Sequence, residues 1–120
     1  MAKILIIEDN HLNLELASDL LEARGHEVLR ATTAEEGVQV ARAKRPQLIL
    51  MDVALPGIDG LTATRLLAQD PLTSTIPVIA LTAHAMQGDA DDAIAAGCVA
   101  YITKPINTRE FASTVEKYAV

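Results

Sequence analysis

Apolar strand-like runs alternate with helix-like segments along the whole chain, and this alternation restricts the fold more than any other feature of the sequence. The runs are Ile4-Leu5-Ile6-Ile7, Leu48-Ile49-Leu50-Met51, Val78-Ile79-Ala80-Leu81 and Val99-Ala100-Tyr101-Ile102-Thr103, with a mixed run at Glu27-Val28-Leu29-Arg30-Ala31. Between them apolar residues recur at three- and four-residue spacing, which is typical of amphipathic helices. Such an alternation predicts a parallel sheet with helices on both faces.

Helix boundaries can be predicted from capping signals and glycines. Thr33 with Glu36 and Asn107 with Glu110 have the spacing of a capping box, which predicts helices that begin just after residues 33 and 107. We expect three further helices. The first follows Asn10 and stops at Arg24-Gly25, the second runs from about 59 to 69, and the third runs from about 89 to 96.

The predicted fold is a flavodoxin-like (βα)5 three-layer sandwich of the α/β class, with strand order 2-1-3-4-5. The second strand is mixed in character and therefore suits an edge, whereas the other strands are apolar throughout. With 120 residues, half of them apolar, the chain suits one compact domain over 1–120 and leaves no room for an output domain.

Charged and polar residues stand where the predicted strands end. Glu8 and Asp9 follow the first strand, Asp52 follows the third, Thr82 ends the fourth and Lys104 follows the fifth. In an open α/β sheet the ligand site lies beyond the carboxyl ends of the strands, at the switch point between strands one and three in this order. We therefore expect three acids, one hydroxyl and one ammonium in a single cleft.

This set of side chains is suited to phosphoryl transfer. Three adjacent carboxylates repel one another unless a cation offsets their charge, and oxygen ligands with retained water describe Mg²⁺ better than Ca²⁺. With the charge offset, Asp52 can act as a nucleophile toward phosphorus and form an aspartyl phosphate. Lys104 and Thr82 would then stabilise the phosphoryl oxygens. The alternative for Glu8 and Asp9 is helix capping, because acids favour helix N-termini.

Composition excludes several other classes of function. The net charge of −6, without a run of Lys or Arg, argues against direct binding of DNA. The sequence shows neither a signal peptide nor a membrane-length apolar stretch, so we expect a cytoplasmic protein without a membrane contact. The single cysteine, Cys98, is expected in or near the core. The histidines, His11, His26 and His84, lack metal-ligand spacing.

Five motifs, in this order, resemble those of bacterial two-component response-regulator receiver domains, the CheY-like family. They are Ile6-Ile7-Glu8-Asp9-Asn10, Leu50-Met51-Asp52, Leu55-Pro56-Gly57-Ile58-Asp59-Gly60, Leu81-Thr82-Ala83-His84-Ala85-Met86 and Tyr101-Ile102-Thr103-Lys104-Pro105-Ile106. The resemblance extends over essentially the whole chain. Within the family it points to stand-alone cell-division regulators of the DivK type.

The resemblance implies a role for each site residue. Asp52 would be the phosphoacceptor, and Asp9, Asp52 and the Ala54 carbonyl would bind Mg²⁺ while Glu8 holds a metal-bound water. Ala54 and His84 would border the phosphate and tune its lifetime, and Tyr101 would be an aromatic switch together with Thr82. The Lys104-Pro105 peptide bond would be cis.

The resemblance also implies an input and an output. The phosphoryl donor would be a phosphohistidine on a sensor histidine kinase or on a histidine phosphotransfer protein. Phosphorylation would draw Thr82 and Lys104 toward the new oxygens and turn Tyr101 inward. A downstream protein would then bind the face of the fourth helix, fifth strand and fifth helix. The chain would catalyse only its own phosphorylation and slow dephosphorylation, and is not otherwise an enzyme.

Four other interpretations follow from parts of the same pattern. The chain could be a phosphate sink that drains a kinase, or a receiver excised from a hybrid histidine kinase. A haloacid-dehalogenase-type phosphatase would need a second acid two residues after the nucleophile, where this sequence has Ala54. A flavin-binding module would need a phosphate-cradling loop where this sequence has Glu8-Asp9-Asn10.

Overall fold

The chain folds as a three-layer α/β sandwich around one parallel sheet. The structure, a computed structural model, describes residues 2–83 and 87–119, and only the backbone over residues 87–90. The strands are β1 (Lys3–Ile7), β2 (Glu27–Ala31), β3 (Leu48–Asp52), β4 (Val78–Thr82) and β5 (Ala100–Thr103), and the helices are α1 (His11–Glu22), α2 (Ala34–Lys44), α3 (Gly60–Gln69), α4 (Gln87–Ala96) and α5 (Phe111–Glu116). The strands are parallel in the order β2-β1-β3-β4-β5, which confirms the predicted fold class.

Strand composition explains the strand order. β3 and β4 are buried at every residue and β1 at all but its first, because helices cover the sheet on both faces. The mixed strand β2 lies at one edge, as predicted, with Glu27 and Arg30 exposed. β5 forms the other edge, where its residues are exposed or half-buried.

Two apolar cores separate the sheet from its helices. One core lies under α1 and α5 and includes Leu14, Leu21 and Phe111, and the other lies under α2, α3 and α4 and includes Leu67 and Cys98. The predicted burial of Cys98 is therefore confirmed. None of the helices in the described part of the chain has the length and apolar content needed to cross a membrane.

The predicted start of α2 after Thr33 is confirmed, with Thr33 as the N-cap residue, but the second bond of the capping box goes to the Thr32 N–H instead of the Thr33 N–H. The Glu36 N–H donates a hydrogen bond of 3.1 Å to Thr33 Oγ1, and the Glu36 carboxylate accepts one of 2.9 Å from the Thr32 N–H. α1 likewise begins after Asn10, whose side-chain oxygen accepts a bond from the Asn13 N–H. These side chains satisfy backbone donors that the first helical turn leaves unpaired.

The predicted capping box at the start of α5 is wrong. The helix begins only at Phe111, and its N-cap residue Glu110 makes no side-chain capping bond. Asn107 Oδ1 instead accepts from the Arg109 N–H, two residues on, which closes a turn before the helix. The spacing of Asn107 and Glu110 is the same in a capping box and in this turn, so the sequence does not distinguish the two. α4 also differs from the prediction, because it begins at Gln87 rather than at residue 89.

Candidate functional site

The carboxyl ends of four neighbouring strands place the predicted site residues at one edge of the sheet. Glu8 directly follows β1, Asp52 is the last residue of β3, Thr82 is the last residue of β4 and Lys104 directly follows β5. Because the strands are parallel and adjacent, their carboxyl ends meet at the same edge. The strand order thus brings together residues that are up to 96 positions apart in the sequence.

Three carboxylates form the centre of this site. Glu8, Asp9 and Asp52 each offer an oxygen, and these oxygens all lie within 4.8 Å of one another. Glu8 is 1% exposed and Asp52 is 3% exposed, whereas Asp9 lies at the surface. Two acids of the cluster, Glu8 and Asp52, are therefore buried, and the third, Asp9, faces solvent.

Lys104 supplies the positive charge of the site. Its Nζ lies 2.8 Å from Glu8 Oε1 and 3.2 Å from Asp52 Oδ1. The Lys104 N–H donates to the Thr82 carbonyl at 2.7 Å, which holds the lysine backbone beside the end of β4. The Lys104-Pro105 peptide bond is cis. One ammonium thus bridges two buried acids.

Backbone N–H groups orient the two buried acids. The Ala54 N–H donates to Asp52 Oδ1 at 3.1 Å, and the Asn10 N–H donates to Glu8 Oε2 at 3.2 Å. Glu8 Oε1 is fully buried, and its contact with Lys104 lacks hydrogen-bond geometry, so this oxygen has no hydrogen-bond partner among the described residues. Burying a carboxylate oxygen without a hydrogen-bond partner lowers the stability of the fold unless a further cation or donor contacts the oxygen.

Gly60 is a site residue that the sequence analysis missed. A Cβ atom at this position would overlap the backbone carbonyl of Asp52, and the Gly60 N–H donates to the Val53 carbonyl at 3.2 Å. Only glycine therefore permits α3 to begin directly against the phosphoacceptor candidate. The glycine that ends the motif Leu55-Pro56-Gly57-Ile58-Asp59-Gly60 was the available signal.

Burial and neighbouring charges shift the pKa values of the buried acids in opposite directions. Desolvation, reinforced by the neighbouring Asp52, raises the pKa of Glu8 to about 7. Desolvation acts in the same sense on Asp52, but hydrogen bonds from Glu8 and the Ala54 N–H, together with Lys104, outweigh it and lower the pKa of Asp52. The opposite shifts favour Asp52 as the ionised member of the pair and Glu8 as the member that retains a proton.

The donor set fits a hard divalent cation. All candidate ligands are oxygens, three acids share one ammonium, and Glu8 Oε1 is buried without a hydrogen-bond partner in the described part of the chain. A cation with oxygen ligands would stabilise the ionised form of Glu8, which desolvation by burial disfavours. The acidic cluster can therefore bind a metal.

The remaining predicted residues lie around this cluster. Thr82 is buried at the end of β4, where it pairs in register with Thr103. Tyr101 is 43% exposed on β5, in register with Ala80, so Tyr101 and Thr82 belong to the same face of the sheet. His84 lies outside the described residues.

Comparison with known proteins identifies relatives along nearly the full chain. A family model described as the response regulator receiver domain matches residues 4–116. The polar-differentiation response regulator DivK of Brucella anthropi is 46% identical over 115 residues, which cover 96% of this chain and 94% of that protein.

Solved structures agree with this match. The receiver domain of a sensor histidine kinase from Pseudomonas aeruginosa, crystallised with a magnesium ion coordinated in its active-site cleft, has a TM-score of 0.90 and 33% identity, covering 98% of this chain and 97% of that one. The chemotaxis response regulator CheY4 of Vibrio cholerae has a TM-score of 0.93 and 24% identity, covers 98% of each chain, and shows the likeness of fold alone.

Proposed function

Because the chain belongs to the response regulator receiver domain family, we propose that it is a phosphoacceptor in a two-component phosphorelay. Asp52 takes a phosphoryl group from a phosphohistidine on a sensor histidine kinase or a histidine phosphotransfer protein. The reaction forms a bond between phosphorus and an Asp52 oxygen and breaks the bond between phosphorus and the imidazole nitrogen, which keeps the electron pair. The observation that carries the proposal is a buried Asp52 that contacts Lys104 at 3.2 Å within a cluster of acids, and the pKa of Asp52 is lowered there.

Each site residue would have a separate role in this reaction. Asp9, Asp52 and the Ala54 carbonyl would hold Mg²⁺, with Glu8 binding through a metal-bound water, and the ion would supply positive charge to the phosphoryl oxygens. The Ala54 N–H keeps the Asp52 carboxylate oriented for attack. Lys104 and Thr82, at the ends of neighbouring strands, would turn from their present partners to the oxygens of the new phosphoryl group. Ala54 and His84 would set how readily water reaches that group.

A downstream protein would recognise the phosphorylated state at the face formed by α4, β5 and α5. Thr82 and Tyr101 belong to the same face of neighbouring strands, so movement of Thr82 toward a phosphate opens space beside Tyr101. Ile94, Val99 and Tyr101 are each 43% to 51% exposed, and several exposed apolar side chains on one face suit a surface that a protein partner covers. The 46% identity to a polar-differentiation response regulator supports a stand-alone regulator of this type.

The phosphoacceptor role is tested by exposing the protein to acetyl phosphate and Mg²⁺ and measuring its intact mass. We expect one added phosphoryl group that hydroxylamine removes. The group should be absent from Asp52→Asn and present in Asp19→Asn, which changes an exposed acid of α1. No adduct, or an equal adduct in Asp52→Asn, would overturn the proposal.

A second experiment separates a signal carrier from a phosphate sink. Beryllofluoride, a stable mimic of the phosphoryl group, should change backbone resonances along β5 around Tyr101 as well as in the loops that follow β1 and β3. Changes confined to those two loops would favour the sink, because no altered surface would then be presented to a partner.

A further inference from the structure

An apolar groove lies between α2 and α3, away from the face of α4, β5 and α5. It encloses about 210 Å³ and is lined by Ala34, Val38, Ile58, Ala63 and Leu66, with Glu35 at its edge. Ala34 and Ala63 are fully buried and form the floor, whereas Leu66 is 45% exposed and stands at the opening. We call this the α2/α3 groove. Its volume suits one large apolar side chain.

Glu35, in the first turn of α2, gives the edge of the α2/α3 groove a carboxylate that no described side chain pairs with. Glu35 makes no ion pair or side-chain hydrogen bond within the part of the chain that the structure describes, whereas its neighbour Glu36 is used in the helix cap. The next cation along α2, Arg42, is engaged with Asp70 at 2.7 Å. A ligand in this groove therefore meets an apolar floor with a carboxylate beside it.

Gly57 lies beside this carboxylate. It has a φ of +73° and no side chain, and a Cβ built on it would lie 3.6 Å from Glu35 Oε2. The next residue, Ile58, forms part of the groove lining. The carboxylate and the apolar floor are thus adjacent, which suits a ligand whose apolar and charged groups are also adjacent.

We infer that the α2/α3 groove binds a segment of a partner protein that presents a large apolar side chain next to a Lys or Arg. Charge complementarity selects this partner, because an apolar side chain fills the groove while the neighbouring cation reaches Glu35. A second copy of the chain is disfavoured as the occupant, since it would bring another net charge of −6 to an acidic edge. The inference does not depend on phosphorylation of Asp52.

The test uses two blocked tripeptides, one with phenylalanine between two lysines and one with phenylalanine between two glutamates. We expect the basic peptide to shift the methyl resonances of Val38, Ile58 and Leu66 and to bind at least about threefold more tightly than the acidic peptide. Glu35→Gln should remove most of this preference, whereas Glu15→Gln, which changes an exposed acid of α1, should leave it intact.

Leu66→Ser is the second variant. The Leu66 side chain is at the surface, so the substitution should preserve folding. It should weaken the basic peptide without altering the far-ultraviolet circular dichroism spectrum. The inference is overturned if neither peptide shifts these resonances, or if both bind equally to the unmodified protein. It is also overturned if the same resonances shift with protein concentration alone, since that would make a second copy the occupant.

Discussion

Replacing Glu8 with Gln should stabilise the metal-free protein at alkaline pH. The carboxyl of Glu8 is 1% exposed and next to Asp52, and these surroundings raise its pKa from the ordinary 4.5 to about 7. Between these pH values the unfolded chain releases the proton and the folded chain keeps it. Folding stability therefore falls as the pH rises through this interval and stays low above it. An amide cannot ionise, so the Gln variant lacks this loss.

The pKa shift sets the size of the effect. At about 1.4 kcal/mol for each pH unit, a rise from 4.5 to about 7 makes the folded state about 3 kcal/mol less stable at high pH than an unperturbed acid would. We expect the free energy of unfolding of Glu8→Gln, relative to the unmodified protein, to rise by about 2 to 3 kcal/mol between pH 5 and pH 8. The Gln variant also loses the 2.8 Å contact between Glu8 and Lys104. This loss reduces the stability gained by the substitution but does not change how that gain depends on pH.

The assay is urea unfolding with a chelator present, at pH 5 and pH 8, for the unmodified protein, Glu8→Gln and the surface control Glu15→Gln. The control should show no comparable change with pH, because Glu15 is exposed on α1. Added Mg²⁺ should narrow the gap at pH 8, since it favours the ionised form of Glu8. If the difference between Glu8→Gln and the unmodified protein is the same at both pH values, then Glu8 does not retain a proton and our account of the cluster is wrong.

Three further predictions concern the core, a helix cap and the cysteine. Leu67→Ala should lower the free energy of unfolding by about 2 to 5 kcal/mol in urea, because Leu67 is 1% exposed, whereas Leu66→Ala should cost under about 1 kcal/mol; equal losses would contradict the assigned packing. Asp59→Ala should cost about 1 kcal/mol at pH 7, because Asp59 Oδ1 caps α3 through the Thr62 N–H at 2.8 Å. The same bond lowers the pKa of Asp59, so the stabilisation is present above the ordinary pKa and should disappear in urea titrations as the pH falls through the lowered one. Cys98 should react with a disulfide reagent at pH 8 far more slowly in the native protein than in guanidinium chloride, because burial raises the pKa of its thiol; similar rates would place it at the surface.

Several features of the candidate site were accessible from sequence because they depend on local pattern and on strand order. Apolar runs predicted the strands, and the mixed composition of β2 predicted its edge position. Once the strand order is known, Glu8 and Asp52 must meet, because parallel neighbours place their carboxyl ends together. The pKa of Glu8 is raised mainly by desolvation, and the expected repulsion from Asp52 adds to it.

Other features were inaccessible because they depend on contacts between distant residues. His26, for example, accepts a hydrogen bond from the Ala2 N–H at 3.0 Å and lies 2.7 Å from Glu116 Oε2, an arrangement that joins the start of β1 to the end of α5. Nothing in the spacing of these residues indicates it. The start of α5 was misjudged because the Asn107 side chain accepts from the N–H two residues on rather than three, and the same sequence permits either bond.

By itself, the sequence determined which side chains meet at the site, since that follows from hydrophobic periodicity and from the parallel sheet it requires. Only the tertiary structure decided how charge is distributed among them. Lys104 contacts both buried acids, and the Ala54 N–H adds a hydrogen bond to Asp52. At Asp52 these contacts and a hydrogen bond from Glu8 outweigh desolvation and lower the pKa, whereas at Glu8 desolvation prevails and raises the pKa to about 7. The physical reason is that burial and hydrogen bonds set a pKa over a few ångströms, a scale on which sequence spacing carries no information.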